Sequence, residues 1–237
     1  MRLAGREGHH LARVLRVREG DAVFCFDGRG RELEGTVQHV KGGQLLLRAG
    51  PTRWLPPLPW DVSLAAAVPG QGRLEEIVNS STQFGVSGIL PLLTERTVVR
   101  FTRERFERKR EHLRQVAIEA AKQSSVSRLP EIRPVTSWNE LLLLLPQYHR
   151  VFLGALEGPH EDWRALLIPL PAFSIHNPLK VLLLIGPEGH FSPEEIQQAV
   201  AAGAHRISLG SSILRCETAV TAALSILFFL LRESSGA

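Results

Sequence analysis

Two cysteines, Cys25 and Cys216, are all that the 237 residues hold. They lie far apart and neither belongs to a Cys-x-x-Cys pair, which excludes a disulfide framework and a thiolate zinc cluster. The nine histidines include no His-Glu-x-x-His spacing. The adjacent His9 and His10 would diverge by about 100° on a helix and so could not chelate one ion together. No metal is expected. Also missing are Gly-x-Gly-x-x-Gly and any Gly-Lys-Ser or Gly-Lys-Thr, the fingerprints of dinucleotide and P-loop nucleotide sites. A bilayer demands roughly 20 apolar residues, whereas the longest apolar stretch, Val220–Leu231, has 12 and is interrupted by Thr221 and Ser225. That stretch reads as a helix buried nearly all round, and no membrane partner is expected. The first residues lack the apolar core and small-residue cleavage site of a secretory signal, so the protein is expected to be cytoplasmic.

What is present is an ordinary globular composition, 44% hydrophobic and 22% charged, so most of the chain should fold. Charge is unevenly placed. Residues 1–56 carry 10 Lys or Arg against 6 Asp or Glu, while residues 57–237 carry 18 of each, so the whole excess of +4 lies in the first quarter. A small basic module beside a larger neutral one fits a polyanion partner for the first part, and equally a solvated surface that happens to be basic.

Two domains are expected, 1–56 and 57–237. In the first, Val23–Phe26, Arg31–Val40 and Gln44–Arg48 are strand-like runs separated by the turn signals Asp27-Gly28 and Gly42-Gly43, which predicts an antiparallel barrel. His10–Val17 reads as a short amphipathic helix or turn carrying Arg13 and Arg16. Four prolines in Pro51–Pro59 mark a linker. Beyond it, short apolar runs (Val62–Val68, Ile89–Leu93, Val151–Leu156, Val181–Ile185, Ile207–Leu209) alternate with helical stretches such as Leu74–Phe84, which predicts an α/β domain with a mainly parallel sheet. A long helix should start near Thr102 as N-cap, with Phe101 and Phe106 placed for a hydrophobic staple. Its first half interleaves Arg105, Arg108 and Arg110 with Glu104, Glu107 and Glu111, the pattern of a solvated face.

Two glycine bends carry the candidate chemistry. Val181–Ile185 runs into Gly186-Pro187-Glu188-Gly189-His190-Phe191. A helix then follows, with Ser192 as N-cap, Pro193 at its first position and Glu195 completing a capping box. Ligands bind at the carboxyl ends of such strands. Pro187 and Glu188 stand where a phosphate would want amide donors and no negative charge, so a cationic or neutral nucleoside-like ligand fits better. The second bend, Leu209-Gly210 through Ile213, Leu214 and Arg215, leads to Glu217, Thr218 and Ala219 at the edge of a core. Thr218 as a cap and an Arg215–Glu217 pair are the structural alternatives there.

Several runs together, in order and over nearly the whole chain, resemble the RsmE family, the 16S ribosomal RNA uracil-N3 methyltransferases. They are His9-His10 with Arg13 to Arg16, Gly20-Asp21, Asp27-Gly28, Glu119 to Ser124, Pro130 to Ile132, Ile185 to Gly189, and Leu209-Gly210 with Ile213 to Arg215 and Glu217 to Ala219. The resemblance implies an N-terminal PUA-like β-barrel that binds RNA and a C-terminal SPOUT methyltransferase domain with a deep trefoil knot. It further implies S-adenosylmethionine as methyl donor, 16S rRNA or the small ribosomal subunit as partner, and a homodimer.

The same resemblance implies cofactor contacts from Leu156 after the third apolar run, from Ile185, Gly186, Pro187, Glu188 and Gly189, and from Leu209, Gly210, Ile213, Leu214, Thr218 and Ala219. Arg215 and Glu217 are the expected catalytic residues, and His10, Arg13 and Arg16 the expected RNA contacts, with packing into the barrel the equal alternative for His10. The chain departs from the family pattern where His190 replaces a second glycine, Ser212 an arginine and Cys216 a threonine, and near Val126, where an arginine is usual. Another SPOUT methyltransferase acting on transfer RNA or a different base, and a noncatalytic assembly factor, are the alternative functions.

Overall fold

The structure is a computed structural model and describes residues 1–70, 73–97, 103–167 and 173–235. It divides into two compact units, Met1–Pro57 and Leu58–Ala237. The expected cap at Thr102 and staple residue Phe101 fall outside the described residues.

In the first unit the elements are β1 (Arg2–Leu3), α1 (Gly5–His9), β2 (Ala22–Phe26), β3 (Arg31–Lys41) and β4 (Gln44–Trp54), with a π-helical turn over His10–Val14 continuing α1. The strands pair antiparallel in the order β1-β4-β3-β2. Gly42 and Gly43 join β3 to β4 with φ of 60° and 76°, the two left-handed residues that a tight hairpin of matching twist requires. Alternate residues then point to one side. Leu45 and Leu47 are buried with Val23 and Val37, while Leu46 between them is exposed. Leu3, Leu11, Ala12 and Val17 pack against this cluster, so the helical segment is fixed by its apolar residues and its arginines are left to solvent.

The expected linker is shorter than the prolines indicated, because β4 continues through Pro51 to Trp54. Leu33 pairs with Thr52 and Gly35 with Ala49, so Gly50 and Pro51 together oppose the single residue Glu34. This is a β-bulge, one of the places in a strand where a missing amide hydrogen costs little. A Cβ at Gly50 would collide with the carbonyl oxygen of Glu34, so glycine is what lets the bulged strand lie that close. The predicted helix at His10–Val17 also differs, since helix begins five residues earlier and widens to a π turn at His10.

The second unit contains β5 (Trp60–Ala67), α2 (Arg73–Phe84), β6 (Gly88–Leu93), α3 (Arg103–Ser124), β7 (Glu131–Ile132), β8 (Thr136–Ser137), α4 (Trp138–Leu144), β9 (Arg150–Gly154), α5 (Trp163–Leu167), β10 (Leu179–Ile185), α6 (Pro193–Ala201), β11 (Ala204–Ile207) and α7 (Cys216–Ser235). Seven strands form one sheet in the order β11-β9-β10-β5-β6-β7, with β8 also on β6, and every pairing is parallel. Both faces are covered, as continuous apolar strands require. Val181, Leu183 and Ile185 of β10 join the core made with α2, α3 and α7, whereas Leu182 and Leu184 join that made with α4 and α6. Ser192 caps α6 in a full capping box with Glu195. On α3, Glu107 pairs with Arg110 at 2.7 Å and Glu111 with Arg114 at 3.5 Å, the solvated face that the charge pattern indicated.

Three expectations are corrected here. The last strand covers 204–207 and not 207–209, because its partner β9 ends at Gly154, opposite Ile207, and Ser208 and Leu209 have no neighbour to pair with. Thr218 is not a cap, since α7 begins at Cys216 and Thr218 lies within its first turn. Nor is α7 buried all round: Thr221, Ser225 and Phe229, spaced four apart, share an exposed face, with Phe229 62% accessible.

Both cysteines are free thiols. Cys216 is buried at the start of α7, with its sulfur 3.9 Å from the carbonyl oxygen of Ala67. Burial, reinforced by the negative charges of Glu188 and Glu217, pushes its pKa up to about 12, so the group is a neutral thiol and no nucleophile at physiological pH. The unfolded thiol loses its proton above about 9, and the folded one keeps it. Folding stability from this group is therefore intact below pH 9 and declines as pH rises toward 12. Ellman's reagent at pH 8 should titrate Cys25 in the native protein and Cys216 only after denaturant is added. Fast native reaction of both thiols would contradict this environment.

Candidate active site

Adjacent parallel strands end at the same edge of their sheet. β9, β10 and β11 are such neighbours, so the loops that follow them converge although they lie well apart in sequence. A cleft, partly open to solvent, is lined by Gly154, Ala155 and Leu156 after β9, by Ile185, Gly186, Pro187 and His190 after β10, and by Leu209, Ser212 and Leu214 after β11. Cys216 and Ala219 of α7 close it.

The loop after β10 is held from several sides. A Cβ on Gly186 would lie 3.1 Å from the amide nitrogen and 3.2 Å from the ring of Phe191, so this position accepts no side chain without displacing a buried phenyl group. The His190 amide donates to the carbonyl of Pro187 at 2.8 Å. Arg73 of α2 pairs with Glu188 at 2.7 Å, and Arg96 donates to the carbonyl of Gly189 at 2.8 Å. Next along the chain, Phe191 is buried against Trp138, ring centroids 5.4 Å apart. Glu195 accepts from the amides of Ser192, at 2.9 Å, and Glu95, at 2.8 Å, which ties the start of α6 to the segment after β6. The loop after β11 is fixed through Ser208, whose carbonyl accepts from the Trp163 indole at 3.3 Å.

Of the residues expected to hold a cofactor, Leu156, Ile185, Gly186, Pro187, Leu209, Leu214 and Ala219 line the cleft. Glu188, Gly189, Gly210, Ile213 and Thr218 do not, and all five are exposed. Gly154, Ala155, His190, Ser212 and Cys216 were missed. Gly154 carried the same signal as the other two bends, a glycine ending an apolar run. The others face the cleft only because three separate loops meet there.

Arg215 and Glu217 flank Cys216 at the mouth of the cleft without lining it. The Arg215 carbonyl accepts from the Ala219 amide at 2.8 Å, and its side chain is exposed. No ion pair joins Arg215 to Glu217 among the described residues, which removes the structural role considered for that pair. One carboxylate oxygen of Glu217 is buried with no hydrogen-bond partner. A buried acceptor in that state is costly unless something else satisfies it. Apolar walls, bends that reject side chains, and one unsatisfied carboxylate oxygen nearby fit a nucleoside carrying positive charge and no phosphate.

Of the expected RNA contacts in the first unit, His10 is half-buried at the start of the π turn, and Arg13 and Arg16 are exposed. Arg16 adopts φ 53°, a left-handed conformation uncommon for its type. Among the described residues neither arginine forms an ion pair. Also among the described residues, no group of three or more His, Cys, Asp or Glu side chains could hold a metal, and no helix is long and apolar enough to cross a membrane.

Residues 56–228 match the family model of an RNA methyltransferase domain and residues 3–49 that of an RNA methyltransferase PUA domain. The chain is 28% identical to ribosomal RNA small subunit methyltransferase E of Bacillus subtilis, over 96% of this chain and 89% of the relative. It is 33% identical to the protein of the same name from a Synechocystis species, over 95% and 71%. A Legionella pneumophila methyltransferase solved with bound cofactor SAM superposes with a TM-score of 0.84 at 29% identity, covering 96% of this chain and 90% of the other. With a domain model spanning well over half its length and relatives along nearly all of it, the chain belongs to the ribosomal RNA small subunit methyltransferase E family of RNA methyltransferases.

Proposed function

We propose that the protein transfers a methyl group from S-adenosylmethionine to N3 of a uridine in 16S rRNA. The observation that carries the reading is the apolar cleft at the ends of β9, β10 and β11 with the partnerless Glu217 oxygen beside it. S-adenosylmethionine, when bound, supplies an electrophilic methyl group on a positively charged sulfur. The residues that would hold it are the cleft-lining members of the three loops, chiefly through backbone groups of Ile185 to Pro187 and of Leu209 to Leu214, with Glu188, Gly189, Gly210, Ile213 and Thr218 shaping those loops from outside.

Uracil N3 is a poor nucleophile while protonated, and charge spreads onto O2 and O4 as the proton leaves. Arg215, exposed at the mouth of the cleft and one residue before α7, is placed to hold that developing charge. The positive end of the α7 dipole acts in the same sense. Glu217, which follows Cys216 of the cleft wall, takes or orients the proton. In the first unit, His10, Arg13 and Arg16 contact the RNA, the arginines through its phosphates. With ribosomal RNA as substrate, the protein would act in the cytoplasm.

The chain leaving β10 passes β9 to lay down β11, then returns as α7 onto α2, β5 and β10, a path that supports the trefoil knot. The reading includes a homodimer, for which α7 offers support. Phe229 stands exposed on a groove lined also by Trp163, Ile226 and Leu230, apolar surface that a second copy would cover.

Mass spectrometry of ribosomal RNA from a deletion strain should show the loss of one N3-methyluridine in 16S rRNA and its return on complementation. An unchanged small-subunit RNA beside a changed transfer RNA would refute the substrate. Arg215→Ala should lower methyl transfer at least tenfold, about 1.4 kcal/mol of transition-state stabilisation or more, while cofactor affinity measured by calorimetry changes little. Arg13→Glu with Arg16→Glu should weaken RNA binding and flatten its dependence on salt. Unaltered binding would move the RNA surface elsewhere. Sedimentation of Phe229→Glu should give monomers where the unsubstituted protein gives dimers. A monomeric unsubstituted protein would refute the dimer.

A further inference from the structure

We propose that His190 is a ligand-contacting residue of the cleft, whose imidazole makes a hydrogen bond to the bound nucleoside. The inference rests on the reading of this cleft as the S-adenosylmethionine site and adds to it a side-chain contact where the neighbouring loop positions offer backbone.

His190 adopts φ 62°, in the left-handed region that a residue with a Cβ enters at a cost in free energy. Strain of this kind persists where the surroundings hold the residue in place, and it collects at ligand sites. The surroundings here are rigid on both sides of the residue. Its amide closes the turn onto Pro187, the preceding Gly189 is gripped by Arg96, and the following Phe191 is buried against Trp138. The backbone is therefore fixed while the side chain is not bonded. The half-buried imidazole lines the cleft, and among the described residues it has neither a hydrogen bond nor an ion pair.

The other walls sharpen its role. Gly154, Ala155, Leu156, Ile185, Leu209 and Leu214 offer no polar side-chain atom, and the Cys216 thiol is turned to the carbonyl of Ala67. That leaves the Ser212 hydroxyl and the His190 imidazole, and only the imidazole presents a donor and an acceptor on one rigid ring. A ligand with ribose hydroxyls, a purine edge and a carboxylate meets that ring on entering. Glycine would relieve the backbone at this position, so the histidine retains a strained conformation in exchange for a polar atom in an otherwise apolar wall.

Three variants separate side chain from backbone. His190→Ala removes the imidazole and keeps the strain, His190→Gly removes both, and His190→Asn keeps a donor and an acceptor on a residue that tolerates left-handed φ. With S-adenosylhomocysteine as the calorimetric probe, the Ala and Gly variants should each bind about three- to tenfold more weakly, the scale of one hydrogen bond. The Asn variant should stay within about twofold of the unsubstituted protein, on the same principle. The Gly variant should also melt a few degrees higher, since it relieves the strain. Unchanged affinity in the Ala variant, or a loss confined to the Gly variant, would overturn the proposal, because backbone and not imidazole would then be responsible. Failure of the unsubstituted protein to bind the probe would overturn the cofactor reading itself.

Discussion

The ladders that join β9 to β10 on one side and to β11 on the other are the interaction on which the rest depends. Leu153 pairs with Leu184, and Gly154 with Ile207. Those few pairings fix where each strand stops, and each stop opens a loop into the same space. Remove the register and Leu156, Gly186 and Leu214 are merely three residues spread over some sixty positions of sequence. The ladder is secured because both faces of β10 are buried, so a slip by one residue would exchange its two hydrophobic sets between cores.

Around that frame the chain spends its polar groups on holding loops, leaving few for the cleft wall. Arg73 and Arg96 each reach across to a residue of the segment between β10 and α6, and Glu195 of α6 accepts from the Glu95 amide after β6. The wall that results is apolar, with backbone exposed at bends where a side chain would collide. A site built in this way recognises shape and a few well-placed polar atoms.

Much of this was legible in the residues. The strand-like run Gln44–Arg48, the continuous apolar run Val181–Ile185, the Ser192–Glu195 capping box and the paired glycines at 42–43 are local signals with local causes, and each element formed where its cause lay. Errors came where a neighbour decided the outcome. Pro51 sits in a strand because Glu34 opposite it accommodates a bulge, and β11 stops at Ile207 because β9 has ended. The exposed stripe of α7 was hidden because Thr221, Ser225 and Phe229 are unremarkable singly. The candidate site divided in the same way. Glycine bends marked two of the three loops and Gly154 carried the same signal in the third, while only the pairings between distant strands bring the three together. The arginine and carboxylate placed at its mouth, Arg215 and Glu217, came from resemblance, and the structure adds the buried, unsatisfied oxygen that periodicity does not carry.

The central claim is that three strand-end loops make one cleft for a nucleoside bearing positive charge on sulfur. Titration calorimetry with S-adenosylmethionine tests it most directly. The account predicts one site per chain, displaced by S-adenosylhomocysteine, indifferent to ATP and NAD, and blocked when a side chain is placed at Gly186 by substitution with valine. No heat of binding, or undiminished binding with Gly186→Val in a folded protein, would contradict it.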